Sequence, residues 1–219
     1  MSHTEQQVQP WTRNEMAERA ARDIQEGWFV NLGIGIPTLI ANHVPLDKEV
    51  IFHAENGVVG VGPAPEPEDI EPWLINAGKQ YVTLRTGGSY VHHADSFAMI
   101  RGGHIDLCAL GAYDVNVRGD IANWALSSDD TAPAVGGAMD LAVGAKRLWV
   151  LMEHVSKKGE PRLVNECRYP LTAPGAVNKV YTNLAVLEVA QTHFRVIDMA
   201  PGVTKEYLIE RTEAELRFE

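Results

Sequence analysis

The sequence predicts an α/β fold with an open, largely parallel, Rossmann-like sheet flanked by helices. Short apolar runs of strand length alternate along the chain with segments of helical periodicity. Runs such as Ile105 to Leu110 and Leu148 to Met152 are almost continuously apolar, as is typical of strands buried on both faces. The 219 residues, 45% of them hydrophobic, can bury one core, so we expect a single domain over residues 1–219.

Helix and strand signals alternate in the first part of the chain. Thr12 to Glu15 has the form of a capping box, after which apolar residues recur at helical spacing. Trp28 to Leu32 is a predicted strand, and Pro37, behind a glycine turn, suits the first turn of a helix. The next strand is predicted from Val50 to His53. The acidic, proline-rich stretch 63–72 is a predicted surface loop.

The alternation continues to the end of the chain. Tyr81 to Leu84 is a predicted strand with a turn at Gly87-Gly88, and Asp95 or Ser96 is expected to cap a helix that runs through Ile100. The remaining predicted elements are the strand Ile105 to Leu110, a helix from Met139 to Ala145, the strands Leu148 to Met152, Ala185 to Val189 and Phe194 to Ile197, and a closing helix from Thr204 to Thr212.

Charge and cysteine content argue against several classes of protein. The formal net charge is -10 and no lysine or arginine cluster could neutralise a run of phosphates, so nucleic acid is not an expected partner. Cys108 and Cys167 lack CxxC spacing, which indicates reduced thiols. The polar N-terminus lacks the order of a secretory signal, and no apolar run approaches the ~18 residues of a membrane span. We therefore expect a cytoplasmic protein without a membrane partner.

Glu55 is the most informative residue for function. It follows the apolar run Val50 to His53 and precedes Asn56-Gly57 and two further glycines, so one carboxylate stands at the mouth of a short buried strand. A carboxylate in this place can act as a nucleophile, because glycines let the main chain turn back around an approaching ligand. The alternative is a buried carboxylate held by backbone N–H groups in a glycine turn.

Two glycine-containing turns could approach a ligand closely. Gly33-Ile34-Gly35 begins like a dinucleotide fingerprint, but Pro37-Thr38 stands where the third glycine belongs, so a nicotinamide or flavin site is poorly supported. This turn is either an ordinary connection or a cradle for the anionic or carbonyl part of a ligand. Gly137-Ala138 also precedes a helix and could offer N–H groups.

Other polar residues allow two readings each. Asn31 is either a strand-end polar group or a hydrogen-bond donor to a ligand, and Lys79 is most often a solvated charge in such a position. Arg101 is expected to pair with the end of its own helix. The group His92 to Asp95 is a loose metal pattern for which a capping or surface role is favoured. No serine or cysteine stands in a G-x-S-x-G context, which disfavours serine or cysteine hydrolysis.

Taken in order, several segments resemble the B (beta) subunit of class I CoA-transferases, the 3-oxoacid group that includes succinyl-CoA:3-oxoacid and 3-oxoadipate CoA-transferases. The resemblance runs almost end to end and implies a CoA-transferase-like fold. The matching motifs are NLGIGIPT (31–38), ENGVVGVGP (55–63), LINAGK (74–79), SFAMIRGGHID (96–106), GDIANW (119–124), GGAMDL (136–141) and YPLT (169–172).

The resemblance implies roles for particular residues. Glu55 matches the family's covalent nucleophile, while Asn31, Lys79 and the backbone of Gly137 and Ala138 match positions that contact CoA or the carbonyl under attack. One departure is that the family usually has serine before the glutamate, where this chain has Ala54. On this basis a hydroxyl group near the carboxylate would be absent.

The resemblance also implies a reaction and a partner. CoA would pass from succinyl-CoA to a 3-oxo acid by ping-pong catalysis through a glutamyl-CoA thioester, with CoA as substrate and with neither a cofactor nor a metal. The stretches 92–97 and 133–135 resemble the 3-oxoadipate members more than the acetoacetate members. His92, His93 or Arg118 could meet the second carboxylate of this acceptor. A separate A (alpha) subunit is expected, in a hetero-oligomer of A2B2 composition with the active site near the interface of the two chains.

Three alternatives remain open at this level. An acyl-CoA hydrolase, or a transferase for another acid, would differ only in what discharges the thioester. A non-catalytic sugar-phosphate-binding or isomerase-like domain would use a similar α/β fold without needing Glu55. A regulatory or scaffolding subunit would bind a partner and give no exchange with it.

Overall fold

The computed structural model describes residues 8–127 and 135–218 of the chain. The helices are α1 (Arg13–Asp23), α2 (His93–Arg101), α3 (Ala138–Gly144) and α4 (Lys205–Glu210), with short 3-10 helices at Ile36–Asn42 and Pro67–Asp69. The strands are β1 (Phe29–Leu32), β2 (Ile51–Ala54), β3 (Val58–Val61), β4 (Leu84–Tyr90), β5 (Leu107–Leu110), β6 (Asp114–Asn116), β7 (Ile121–Ala122), β8 (Leu148–Met152), β9 (Leu163–Val164), β10 (Val177–Thr182), β11 (Ala185–Val189), β12 (Phe194–Met199) and β13 (Leu216–Phe218).

A 10-stranded sheet forms the centre of the fold, in the order β13-β12-β11-β10-β8-β5-β1-β2-β3-β4. Its central strands β2, β1, β5, β8 and β10 run parallel, whereas β11 pairs antiparallel with β10 and β12, and β3 pairs antiparallel with β2 and β4. A second sheet of three strands has the order β7-β6-β9. The prediction of a largely parallel sheet flanked by helices is confirmed.

Both faces of the central sheet are buried, which explains the continuous apolar runs. Along β8, the side chains of Leu148, Val150 and Met152 join one core cluster and those of Trp149 and Leu151 join the other. Core residues of α2 and α3 belong to the first cluster, and those of α1 and the first 3-10 helix belong to the second. The chain therefore forms three layers, with the α2–α3 face on one side and the α1 face on the other.

The order of the parallel strands creates a topological switch point beside β1. The chain passes from β1 to β2 on one side, and β5, β8 and β10 follow on the other side. Loops that leave the carboxyl ends of β1 and β5 consequently diverge, and in open α/β sheets the crevice that results is the usual ligand site.

Helix α1 begins as the sequence predicts. The backbone N–H of Thr12 donates to Oε2 of Glu15 at 2.7 Å, and the N–H of Glu15 donates to Oγ1 of Thr12 at 3.2 Å. The two residues thereby satisfy two N–H groups that a helix start leaves unpaired. The capping box is confirmed.

Helix α2 and strand β4 differ from their predictions. The cap of α2 is His92, whose Nδ1 accepts from the N–H of Ala94 at 3.1 Å, not Asp95 or Ser96. Strand β4 covers 84–90, so Gly87-Gly88 lies inside a strand and not in a turn. Pairing of β3 with β4 shifts register here, and a Cβ on Gly60 would lie 2.8 Å from Cα of Gly88. These glycines serve the close approach of two strands.

Helices α2 and α3 are joined at both backbone and side-chain level. A Cβ on Gly144 would lie 2.4 Å from the carbonyl oxygen of Ile100, so the two backbones touch. Arg101 donates two hydrogen bonds to Asp140, from Nε at 2.8 Å and from Nη2 at 3.0 Å. The expectation that Arg101 pairs with its own helix is wrong, because the bidentate carboxylate of α3 lies within reach.

Within the described part of the chain, no helix has the length and apolar character needed to cross a membrane. Residues 133 and 134, part of the stretch that resembles 3-oxoadipate members, lie outside the described residues.

His154 joins the carboxyl end of β8 to the C-terminal region. Its side chain is fully buried, with Nδ1 2.9 Å from Oγ1 of Thr182 and Nε2 2.9 Å from Oγ1 of Thr212. Burial, assisted by the charge of Arg211, lowers the pKa of His154 to about 4. The folded chain therefore holds this imidazole neutral at pH values where the unfolded chain protonates it.

We expect this histidine to make stability pH-dependent. The unfolded chain takes up the extra proton below its ordinary pKa of 6.5, so the free energy of unfolding falls as the pH drops from there towards 4. By pH 5 the loss from this one group is roughly 2 kcal/mol. Urea unfolding at pH 7 and pH 5 should show a smaller loss in His154→Gln. An equal loss in both proteins would contradict the assignment.

Candidate active site

A cleft of about 820 Å³ follows the carboxyl ends of the central parallel strands. It therefore occupies the switch point that the strand order creates. The residues that line it directly after these strands are Gly33, Ile34 and Gly35 after β1, Glu55 after β2, Gly111 after β5, Glu153 after β8 and Asn183 after β10.

Glu55 opens the hairpin turn that joins β2 to β3. Ala54 pairs with Val58 across this turn, so Glu55, Asn56 and Gly57 form its whole length. Gly57 has φ +110°, and a Cβ there would lie 2.3 Å from the carbonyl oxygen of Val91. Only glycine satisfies both conditions, since other residues avoid this φ and would collide with that backbone. The turn thus fixes Glu55 at the mouth of the cleft.

The carboxylate of Glu55 faces the start of α3. Oε1 lies 3.5 Å from the position that a Cβ on Gly137 would occupy, and the same position is 2.8 Å from Cζ of Phe97. Gly137 thus provides space that a larger residue would fill. The carboxylate accepts no hydrogen bond from any residue in 8–127 or 135–218, which leaves its lone pairs available for attack on a ligand.

The surroundings of Glu55 act on its charge in opposite directions. Burial raises the pKa of this half-buried carboxyl, and the charge of nearby His93 lowers it. Burial together with the charge of Glu55 raises the pKa of the Cys108 thiol well above its ordinary range. Cys108 is therefore an inert core thiol.

The predicted glycine loop after β1 forms another wall of the cleft. The N–H of Gly33 donates to the carbonyl of Ala109 at 2.8 Å, and a Cβ on Gly33 would lie 2.7 Å from Cδ2 of Leu110. Gly35 has φ +96° and turns the chain into the first 3-10 helix. These two glycines are needed for packing against β5 and for the turn, and both border the cleft.

Asn31 lies behind the cleft and does not line it. It is 1% exposed, and its Nδ2 lies 3.0 Å from Nδ1 of His53 and 3.2 Å from the carbonyl oxygen of His53. The thiol of Cys108 donates to its Oδ1 at 3.8 Å. With its amide engaged in this way, contact between Asn31 and a ligand stays a prediction.

Lys79 lies on a loop beside the Glu55 turn. Its side chain is exposed and its φ is +62°. Nδ2 of Asn56 donates to the carbonyl of Ile75 at 2.8 Å, which ties this loop to the Glu55 turn, and a Cβ on Gly78 would lie 3.5 Å from Cγ1 of Ile34. The structure therefore brings Glu55, Gly33, Gly35, Gly137 and Ala138 together around one cleft, with Lys79 and Asn31 outside its lining.

Ala54 belongs to the opposite face of the sheet from Glu55. It is buried in the core cluster of the α1 face, together with Phe52 and Val61, because successive residues of a strand point to opposite sides. The expectation that a hydroxyl group near the carboxylate is absent here stays a prediction.

The sequence did not single out His53 and Ser96 as parts of this site. Nε2 of His53 lies 2.8 Å from Oγ of Ser96, and burial lowers the pKa of His53 to about 4. The only local signal is that His53 lies in β2, two positions before Glu55. No cluster of metal-ligating side chains occurs among the described residues, His92 to Asp95 included.

The charge balance at Glu55 is testable by a carboxyl titration. In a carbon-13 NMR titration Glu55, assigned through Glu55→Gln, should protonate at higher pH than an ordinary glutamate, since burial disfavours its charged form. His93→Gln should raise the pKa further. Glu15 is an internal control, because hydrogen bonds from Thr12 lower its pKa. A Glu55 midpoint at or below the ordinary value would contradict the assignment.

The chain matches known proteins over most of its length. A family model described as coenzyme A transferase matches residues 13–211. The B subunit of the 3-oxoadipate CoA-transferase of Pseudomonas putida is 55% identical over 192 residues, 88% of this chain and 90% of that protein. The B subunit of the succinyl-CoA:3-ketoacid coenzyme A transferase of Helicobacter pylori is 45% identical over 203 residues, 93% of this chain and 97% of that one.

The crystal structure of an acyl-CoA transferase apoenzyme from Escherichia coli O157:H7 has the same fold. Its TM-score is 0.73 at 18% identity, over 97% of this chain and 43% of the other. At this identity the likeness concerns the fold alone, and the sequence relatives carry the functional conclusion. On the family match and these relatives, the chain belongs to the coenzyme A transferase family and is an enzyme subunit similar to the B subunits of its 3-oxoacid members.

Proposed function

We propose that this chain, joined to an A subunit, transfers CoA from succinyl-CoA to a 3-oxo acid, with 3-oxoadipate favoured over acetoacetate, through a covalent intermediate on Glu55. One observation carries the proposal: the half-buried Glu55 carboxylate faces a cleft at the switch point without a hydrogen-bond donor among the described residues. The names of the similar B subunits support the choice of donor and acceptor.

In the first half-reaction the Glu55 carboxylate attacks the thioester carbonyl of the donor. The oxyanion collapses with loss of the CoA thiolate and leaves a mixed anhydride between Glu55 and the donor acid. The thiolate then attacks the Glu55 carbonyl and expels the donor carboxylate, which gives a glutamyl-CoA thioester. An ionised carboxylate needs no general base for this attack.

The second half-reaction repeats these steps in reverse. The acceptor carboxylate attacks the glutamyl carbonyl and expels the CoA thiolate, which then attacks the acceptor carbonyl and frees Glu55. Ping-pong kinetics follow, because the first product leaves before the second substrate reacts. All reacting groups are supplied by Glu55 and the substrates, so the proposed reaction requires no cofactor and no metal.

Backbone N–H groups at the start of α3 are suited to stabilise the oxyanions. The N–H of Ala138 already donates to the carbonyl of Val135 at 3.1 Å, whereas no described residue accepts from the N–H of Gly137. Gly137 is therefore the better donor of the two. One such donor is typically worth roughly 3 kcal/mol of activation free energy.

The rim of the cleft suits a second chain. Ile34 lines the cleft and yet is 69% exposed, an unusual position for a large apolar side chain. The relatives are named as B subunits, which supports an A subunit in the role of partner. We propose that it covers this rim in an A2B2 assembly that acts in the cytoplasm, where both thiols of the chain would stay reduced.

Among the three sequence candidates for the second acceptor carboxylate, His93 has the best position. The guanidinium of Arg118 is already paired with Glu166 and Asp120. His92 uses its Nδ1 to cap α2. His93 packs its ring 4.9 Å from that of Phe97, beside Glu55, where its charge acts on the carboxylate. We assign the acceptor contact to His93.

The covalent step is tested by mixing the A–B complex with succinyl-CoA and measuring intact mass after an acid quench. We expect a CoA adduct on this chain that is absent in Glu55→Gln, with exchange reduced roughly 10³-fold or more. Glu153→Gln, a second carboxylate of the same cleft, should keep the adduct.

The outcomes separate the alternatives. Absence of an adduct on the wild-type complex favours a sugar-phosphate-binding, regulatory or scaffolding role. An adduct that water discharges faster than any acid identifies a hydrolase, and discharge by a different acid identifies another transferase.

The acceptor assignment is tested by steady-state exchange with 3-oxoadipate and acetoacetate. His93→Gln should raise KM for 3-oxoadipate roughly tenfold, since a charged hydrogen bond is lost, and should change KM for acetoacetate much less. His92→Asn retains a capping side chain and is the matched control. Equal effects on the two acids would contradict a contact with the second carboxylate.

A further inference from the structure

Three polar side chains form a row across the apolar centre of the sheet. His53 of β2 pairs in register with Asn31 of β1, and Asn31 pairs with Cys108 of β5. They are 2%, 1% and 0% exposed, respectively, and their strand neighbours Phe52, Val30 and Leu107 belong to the apolar cluster of the opposite face. The row therefore points to the α2–α3 face, the same side as Glu55.

The hydrogen bonds of the row determine the tautomer of His53. The carbonyl oxygen of His53 can only accept, so the group 3.2 Å from it must be the amide nitrogen of Asn31. The same NH₂ group lies 3.0 Å from Nδ1 of His53, which therefore accepts. A neutral ring then carries its proton on Nε2 and donates to Oγ of Ser96 at 2.8 Å.

Ser96 connects this row to α2. It is 0% exposed and stands one turn after His93, next to Phe97. Phe97 contacts the site of Gly137, and His93 acts on the charge of Glu55, so α2 forms the wall opposite the carboxylate. The bond from His53 to Ser96 thus runs between the strand that carries Glu55 and the helix that faces it.

We infer that His53 is a positioning residue: through Asn31 on one side and Ser96 on the other, it fixes the distance between the Glu55 turn and the wall formed by α2. Apolar contacts between a sheet and a helix tolerate small displacements, whereas a pair of directional hydrogen bonds defines one arrangement. The position of His53 two residues before Glu55 makes that arrangement the one in which the carboxylate reacts. The inference rests on the proposed function.

The experiment compares CoA exchange by the A–B complex carrying Ser96→Ala, His53→Asn or both. Ser96→Ala removes only the hydroxyl, and His53→Asn keeps an acceptor near the place of Nδ1 while it loses the Nε2 donor. Both single variants cut the same bond, so each should lower kcat about tenfold with KM for both substrates unchanged, and the double variant should be no slower. Formation of the Glu55–CoA adduct in a single turnover should slow to the same extent.

Thr212→Ala is the matched control. It removes the hydroxyl group that lies 2.9 Å from Nε2 of His154. Among the described residues, His154 is the other fully buried histidine; its Nδ1 also has a hydroxyl partner, and it does not line the cleft. We expect a comparable fall in unfolding temperature and an unchanged kcat.

Each outcome decides the inference. Equal kcat values for Ser96→Ala, Thr212→Ala and wild type overturn it, as does a change in KM alone, which would indicate substrate contact. If His53→Asn fails to fold, Ser96→Ala decides alone. Absence of exchange by the wild-type complex would instead count against the proposed function.

Discussion

The fit of Gly57 beneath the carbonyl of Val91 is the constraint on which the site depends. This contact leaves no room for a Cβ, and it closes the hairpin between β2 and β3 within Glu55, Asn56 and Gly57. A longer turn would let the carboxylate move into solvent, and a regular strand would hide it in the sheet. Because the turn stands at the carboxyl end of a parallel strand, the carboxylate instead borders the crevice that forms at the switch point of the strand order.

The two faces of the sheet contribute differently to the surroundings of Glu55. On the α1 face, Phe52 and Ala54 pack in an apolar core and anchor strand β2. The α2–α3 face provides the charge of His93, the ring of Phe97 and the open space above Gly137. Partial burial and a nearby imidazole shift the pKa of the carboxyl in opposite directions, which is compatible with the nucleophilic role proposed for it.

Local signals in the sequence predicted the local structure well. The capping box at Thr12 and the apolar run Leu148 to Met152 describe interactions within a few residues, and the structure places both elements where they are expected. Gly87-Gly88 misled because a glycine pair indicates either a turn or a close approach, and the partner strand that decides between them lies elsewhere in the chain. The contacts of Asn31 likewise depend on the register of β1 with β2 and β5, and a motif within one segment carries no information about that register.

The close approach of Gly144 to the backbone of Ile100 packs α2 directly against α3. The bidentate hydrogen bonds from Arg101 to Asp140 join the same two helices through their side chains. This packing places Phe97 of α2 next to Gly137 at the start of α3. A substitution at this contact on one helix therefore limits which residues the other helix can accept there. A segment exchange with a homologue that replaces one of these helices has to carry the other with it, or the two backbones will no longer fit.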